Sequence, residues 1–111
     1  MARPLVPDAG DIVWVRFSPQ AGHEQAGNRP ALVLSPASYN RRTGLAVCCP
    51  LTTQLKGYPF EVVVTETPPS AVLADQVKSL DWRARGAVRK GRAPKVVLQE
   101  VRAKLRALIG A

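Results

Sequence analysis

Ten prolines and eight glycines cut this 111-residue chain into short apolar runs, and that punctuation limits its fold more than any other feature. Proline lacks a backbone donor and fixes φ, so it is excluded from helix interiors and from the middle of central strands. Between the breakers lie runs at 12–17, 31–34, 45–49, 60–65 and 71–80, most of them rich in Val, Leu and Ala, the last in two segments around Asp75-Gln76. Each reads as a strand. Alternation along the first places Val13, Val15 and Phe17 on one face and Ile12, Trp14 and Arg16 on the other. Residues 39–44 are expected to turn, Pro50 to limit the third strand, and residues 83–92 to form a basic stretch with no regular period. Only after Pro94 is there a convincing helix, because Val97 or Leu98, Val101, Leu105 and Leu108 recur at helical spacing and Gly110 suits the C-terminal cap. Five or six short strands closed by one helix predict a mainly β, α+β architecture: a small twisted sheet or partly open barrel with a C-terminal helix packed on it.

Length bounds this to one domain, residues 1–111. No apolar run approaches bilayer-spanning length and the N-terminus lacks a signal-peptide core, so the cytoplasm is expected and a membrane is not. Cys48 and Cys49 are adjacent in an apolar strand, and no other cysteine exists to pair with them. Together with one histidine at unrelated spacing, they predict buried, reduced thiols rather than a metal site. No cofactor is expected. The net charge of +8 resides in one region: residues 1–77 carry six basic and six acidic side chains, whereas residues 78–111 carry ten basic ones against Asp81 and Glu100. A basic third on a neutral body points to a polyanion, nucleic acid before membrane.

Arg29 stands beside Pro30 at the expected entrance to the second strand, where the proline holds the backbone extended. Thr52 follows Pro50 at the expected exit of the third. If those strands are antiparallel neighbours, a guanidinium and a hydroxyl converge on one point, a pairing suited to a phosphodiester. Glu24 is the better candidate to orient Arg29 or accept a proton, ahead of His23. Lys56, Arg83 and Arg85 are candidate RNA contacts, and Asn40, Thr53 and Gln54 are able to read base edges; each could instead be solvated surface. Trp14 is expected in the core, while Trp82 could be buried or stack on a base.

Five blocks carry a family resemblance: Pro7 to Val15, Glu24 to Pro36, Pro50 to Val63, Ala74 to Ser79, and Trp82 to Gly86. In that order they resemble the MazF family of toxin endoribonucleases, over nearly the whole chain. The resemblance implies an SH3-like, partly open β-barrel of the MazF/CcdB/Kid type, assembled as a homodimer. It also implies sequence-specific, metal-independent cleavage of single-stranded mRNA through the 2′-hydroxyl, giving a 2′,3′-cyclic phosphate and a 5′-hydroxyl. A cognate MazE-like antitoxin with an acidic segment would silence it. Arg29, Thr52 and Lys56 match the family's positions; Arg16, Ser18 and His23 depart from its closest patterns, which puts an ACA-like recognition site in doubt. Other readings of the same barrel are a non-catalytic toxin that poisons a protein such as gyrase, or a plain RNA-binding module.

Overall fold

A computed structural model describes residues 5–17 and 27–111, with Phe17 and Gly27 described by their backbone alone. In chain order the elements are β1 (Asp11–Phe17), β2 (Gly27–Val33), α1 (Ala37–Thr43), β3 (Leu45–Thr52), β4 (Glu61–Glu66), β5 (Pro69–Leu73), β6 (Lys78–Asp81), β7 (Val88–Arg92) and α2 (Lys95–Ile109). The strands pair antiparallel in the order β4-β5-β3-β2-β1-β7, and β6 joins β3 off that path. The sheet curls into a half-barrel, the mainly β architecture with a C-terminal helix that the sequence predicts. Among the described residues no helix is long and apolar enough to cross a membrane.

The curl follows from apolar side chains on both faces of the central strands. Ile12, Leu32, Leu34, Cys49, Leu51, Val62 and Val72 form one core, closed by Val97 and Val101 of α2. Val13, Val15, Ala31, Val33, Ala46 and Cys48 point the other way and pack with Leu80 and Trp82. A strand covered on both faces reads as a continuous apolar run, as Ala31-Leu32-Val33 does. Each buried Val or Leu contributes about 1.5–3 kcal/mol of transfer free energy, so both cores drive closure. On α2, Val97 and Val101 are buried with Leu98 and Leu105 packed beside them, whereas Leu108 and Ile109 remain exposed. Gly110 ends the helix in the left-handed region at φ 78°.

Several local expectations change. Residues 39–44 do not form a simple turn: α1 covers Ala37–Thr43, ended by Gly44 at φ 75°, whose N–H donates to the Asn40 carbonyl. The first turn of α1 has no capping side chain of its own, but Asp8 accepts the Ala37 N–H at 2.9 Å from a distant part of the chain. Pro50 does not end β3: it pairs with Ala31 of β2, and the strand runs on through Leu51 and Thr52, which pair with β5 on its other side. The basic stretch after Arg83 contains β7, paired with β1 across a register shift between Ile12 and Val13. Such a shift conceals the strand's period in the sequence.

Asn40 is the polar centre of this arrangement. Its side chain is fully buried; Nδ2 donates to the Pro7 and Ser35 carbonyls at 2.7 and 2.9 Å, and Oδ1 accepts from Ser35 Oγ at 2.6 Å. Its carbonyl accepts the Trp82 indole N–H at 2.9 Å. The expectation that Asn40 reads a base edge is therefore corrected: every polar atom of its side chain is engaged inside the fold. Asn40→Ala strands the Pro7 and Ser35 groups, and is expected to cost about 3 kcal/mol, read as a lower urea midpoint with an unchanged m-value.

Cys48 and Cys49 are buried and unpaired. Burial pushes both thiols up to about 12 from an ordinary 9.0, with a smaller contribution from the charge of Cys49 at Cys48 and from that of Asp75 at Cys49. Below pH 9 both folded and unfolded thiols hold their protons. Between 9 and about 12 the unfolded chain ionises first, so stability is expected to fall across that window. A disulfide reagent such as dithionitrobenzoate at pH 8 should label neither cysteine before unfolding.

Candidate functional site

The site is assembled by the β2–β3 register. Ala31 pairs with Pro50, Leu32 with Cys49 and Val33 with Cys48. Continued two residues beyond its last pair, this register brings Arg29 alongside Thr52. Arg29 is the third residue of β2 rather than its entrance, because pairing with β1 begins at Gly27 and sets Arg29 opposite Val15. Its guanidinium Nη2 donates to the Leu51 carbonyl at 3.5 Å, next to Thr52. The Thr52 hydroxyl accepts the Gln54 N–H at 3.1 Å, which leaves its proton available to donate outward.

Arg29 and Thr52 line one cleft of about 1300 Å³. Thr53 and Gln54 continue its lining from β3, Asn28 and Pro30 from β2, and Trp14 from β1. Lys90 and Arg92 of β7 reach it from one side and Thr65 and Ser70 of the β4–β5 pair from another, with Gln76 and Lys78 beside them. Four lining residues are cationic, Arg29, Lys78, Lys90 and Arg92, and among the described residues no carboxylate lines the cleft. Such a cleft concentrates anions. Arg92 is held by Asp11: Nη1 lies 2.7 Å from Oδ1, while Arg89 Nε stands 3.6 Å from the same oxygen. Asp11 is buried and its second oxygen accepts the Asp8 N–H, so the carboxylate is satisfied on both sides. Gly10 precedes it at φ 95°, and a Cβ there would sit 3.0 Å from Arg92 Nη2, so only glycine suits the turn.

The remaining candidates lie elsewhere. Lys56 is exposed outside the cleft lining, on a loop tethered by Glu61, whose two carboxylate oxygens accept the Lys56 and Gly57 N–H groups at 2.9 Å each. Tyr58 of the same loop donates to Asp75 at 2.7 Å, and that bond pushes the phenol up to about 12. Arg83 donates to the Arg41 carbonyl and stacks 4.7 Å over Trp82; Arg85 donates to the Arg16 carbonyl. Neither lines the cleft. Glu24 and His23 lie outside the described residues.

Trp14 leaves its expected place in the core, and Trp82 takes the buried one of its two alternatives. Trp82 is buried, 5 % exposed, fixed to Asn40 and covered by the Arg83 guanidinium, so it offers no face to a base. Trp14 is 37 % exposed in the cleft, with Lys90 Nζ 5.5 Å from its ring. Alternation puts Trp14 on the face of Ile12, but the core ends before reaching it. Lys78, Lys90 and Arg92 belong to the basic third whose charge was legible; their convergence needed the pairings of β6 with β3 and of β7 with β1.

The fold is thus a curled half-barrel with a C-terminal helix, and its cleft is basic. The family model described as PemK-like, MazF-like toxin of type II toxin–antitoxin systems matches residues 8–109, and the chain belongs to that family. It is 56 % identical over 111 residues to the endoribonuclease toxin MazF of Escherichia coli K12, covering 99 % of this chain and 100 % of that protein. The crystal structure of MazF (Form-I) from Deinococcus radiodurans matches with a TM-score of 0.87 at 56 % identity, over 97 % of this chain and 100 % of that one. A MazE–MazF complex (Form-II) from the same organism matches with a TM-score of 0.88 at 57 % identity, over 96 % and 98 % of the two chains.

The different burial of the two tryptophans has a measurable consequence. Trp82→Phe removes a buried hydrogen bond and is expected to cost about 1–2 kcal/mol, while Trp14→Phe stays within about 0.5 kcal/mol, compared by chemical denaturation.

Proposed function

We propose that the cleft is the active site of a metal-independent endoribonuclease that cuts single-stranded mRNA at specific sequences. The chain is an endoribonuclease toxin of the MazF type, with a cognate MazE-like antitoxin as partner. The observation that carries the mechanism is the presence of Arg29 and Thr52 in one cleft that is otherwise basic.

RNA brings its own nucleophile. The 2′-oxygen forms a bond to the adjacent phosphorus, the bond from phosphorus to the 5′-oxygen breaks, and the products are a 2′,3′-cyclic phosphate and a 5′-hydroxyl end. The proton of the 2′-hydroxyl must pass to a base and the departing 5′-oxygen must gain one. Glu24 is assigned as the proton acceptor or as the carboxylate that orients Arg29. Arg29, permanently charged, stabilises the equatorial oxygens in the transition state and is the candidate donor to the leaving oxygen. Thr52 donates to a non-bridging oxygen. DNA, lacking the 2′-hydroxyl, binds without being cut.

Thr53 and Gln54, exposed in the same lining, are placed to read base edges, and Trp14 to stack on a base. Lys56, Arg83 and Arg85 contribute phosphate contacts outside the cleft. An acidic antitoxin segment would compete for the same cations, which accounts for silencing by occupation of the cleft. The working unit is proposed to be a homodimer in the cytoplasm, and the exposed Leu108 and Ile109 near the end of α2 supply apolar surface for such a contact.

Incubation of the purified protein with a long single-stranded RNA in EDTA is expected to yield discrete fragments bearing cyclic phosphate ends. Arg29→Ala and Thr52→Ala should each lower kcat by at least ~100-fold with unchanged thermal unfolding, as loss of a transition-state donor commonly does. Intact RNA with wild-type protein, or near-normal cleavage by Arg29→Ala, refutes the mechanism.

A further inference from the structure

Arg16 is exposed, and the described residues give it no ion-pair partner. Its position follows from the β1–β2 register. Trp14 pairs with Pro30 and Arg16 with Asn28, and directly opposed residues of an antiparallel pair share a face with Cβ atoms about 5 Å apart. Trp14, Pro30 and Asn28 all line the cleft. Arg16 is therefore the next residue along that face, about 7 Å beyond Trp14 at the rise of an extended strand.

The surrounding backbone holds it there. Arg16 Nη2 donates to the Ala84 carbonyl at 3.2 Å, its N–H donates to the Arg85 carbonyl at 3.0 Å, and Arg85 Nη1 donates to the Arg16 carbonyl at 3.1 Å. The turn that presents Ala84 is itself fixed, because Asp81 accepts the Ala84 N–H at 2.9 Å through its side chain and the Arg85 N–H at 3.0 Å through its carbonyl. Asp81 is the acidic group of this turn. Among the described residues each guanidinium spends one bond on a carbonyl and keeps four further donors for an acceptor arriving from solvent. Two guanidinium groups, one tying β1 to the turn after β6 and the other tying that turn back to β1, form a basic rim at the end of a row that continues from the cleft.

We infer that Arg16, with Arg85 beside it, is a phosphate-binding subsite for a nucleotide flanking the scissile one, extending the RNA track along β1 from Trp14. The subsite rests on the reading of the cleft as an RNA-cleaving site. Its ligand is a backbone phosphate of single-stranded RNA, so it contributes affinity and register rather than chemistry. Arg16 positions substrate and takes no part in bond breaking.

The test is a salt titration of binding to a single-stranded DNA oligonucleotide matching a sequence the protein cuts as RNA, together with cleavage kinetics on that RNA. Arg16→Gln is expected to flatten the slope of log affinity against log salt by about 0.7, the value of one single-strand phosphate contact, and to raise KM with kcat unchanged. Arg16→Lys should restore the slope, which loss of a purely structural bond to Ala84 would not predict. An unchanged slope in Arg16→Gln, or a fall in kcat at constant KM, overturns the inference while the nuclease reading stands if wild type still cuts. Wild-type protein that neither binds the oligonucleotide nor cuts the RNA overturns both.

Discussion

The antiparallel register of β2 against its two neighbours is the constraint on which the rest of the molecule depends. Ala31, Leu32 and Val33 are all completely buried, which is achieved only when both faces of the strand are covered. One residue of slip would exchange the faces of every side chain and present Ala31 and Val33 to the core that Leu32 now fills. The same pairing that satisfies the two cores also sets Arg29 opposite Val15 and brings it to Thr52. Packing and chemistry thus share a single geometric choice.

Polar groups complete that choice at two places. From α1, Asn40 joins the N-terminal segment, the residues after β2 and Trp82 through hydrogen bonds whose partners, Pro7, Ser35 and Trp82, come from three separate parts of the chain. Asp11 does the corresponding work at the cleft edge, where its buried carboxylate holds Arg92 and Arg89 of β7 against β1. Both are satisfied networks inside the fold, and satisfied buried polar groups favour one arrangement over its alternatives. Arg29 and Arg92 of the cleft are consequently held by backbone and carboxylate contacts. Little ordering of these groups remains to be done when an anion arrives, a general route to tighter binding.

Much of this could be read locally. The strand from Ile12 to Phe17 showed its two faces by alternation, and the helix after Pro94 showed its apolar stripe and its glycine stop. The charge of the last third pointed to a polyanion. The pairing of Arg29 with Thr52 was suggested by two prolines and a hydroxyl, although the strands extend past both prolines. Other residues gave misleading signals. Asn40 resembles a surface turn residue in a run that also holds Arg41, Arg42 and Gly44, and nothing local reports that Pro7 and Trp82 close over it. β7 carries a bulge in its pairing, so its period does not show.

The amino-acid order by itself determined where strands could start and stop, which face of each was apolar, and that a helix would close the chain. It also determined the excess of positive charge and the presence of an arginine and a threonine close to the prolines of β2 and β3. Tertiary structure alone decided which tryptophan is solvent-facing, which asparagine is buried, and that Lys78, Lys90 and Arg92 meet Arg29 around one cleft. The division has a physical cause: backbone propensity and side-chain period act within a few residues, whereas burial and convergence depend on pairings between segments tens of residues apart, whose register is settled only when both cores close.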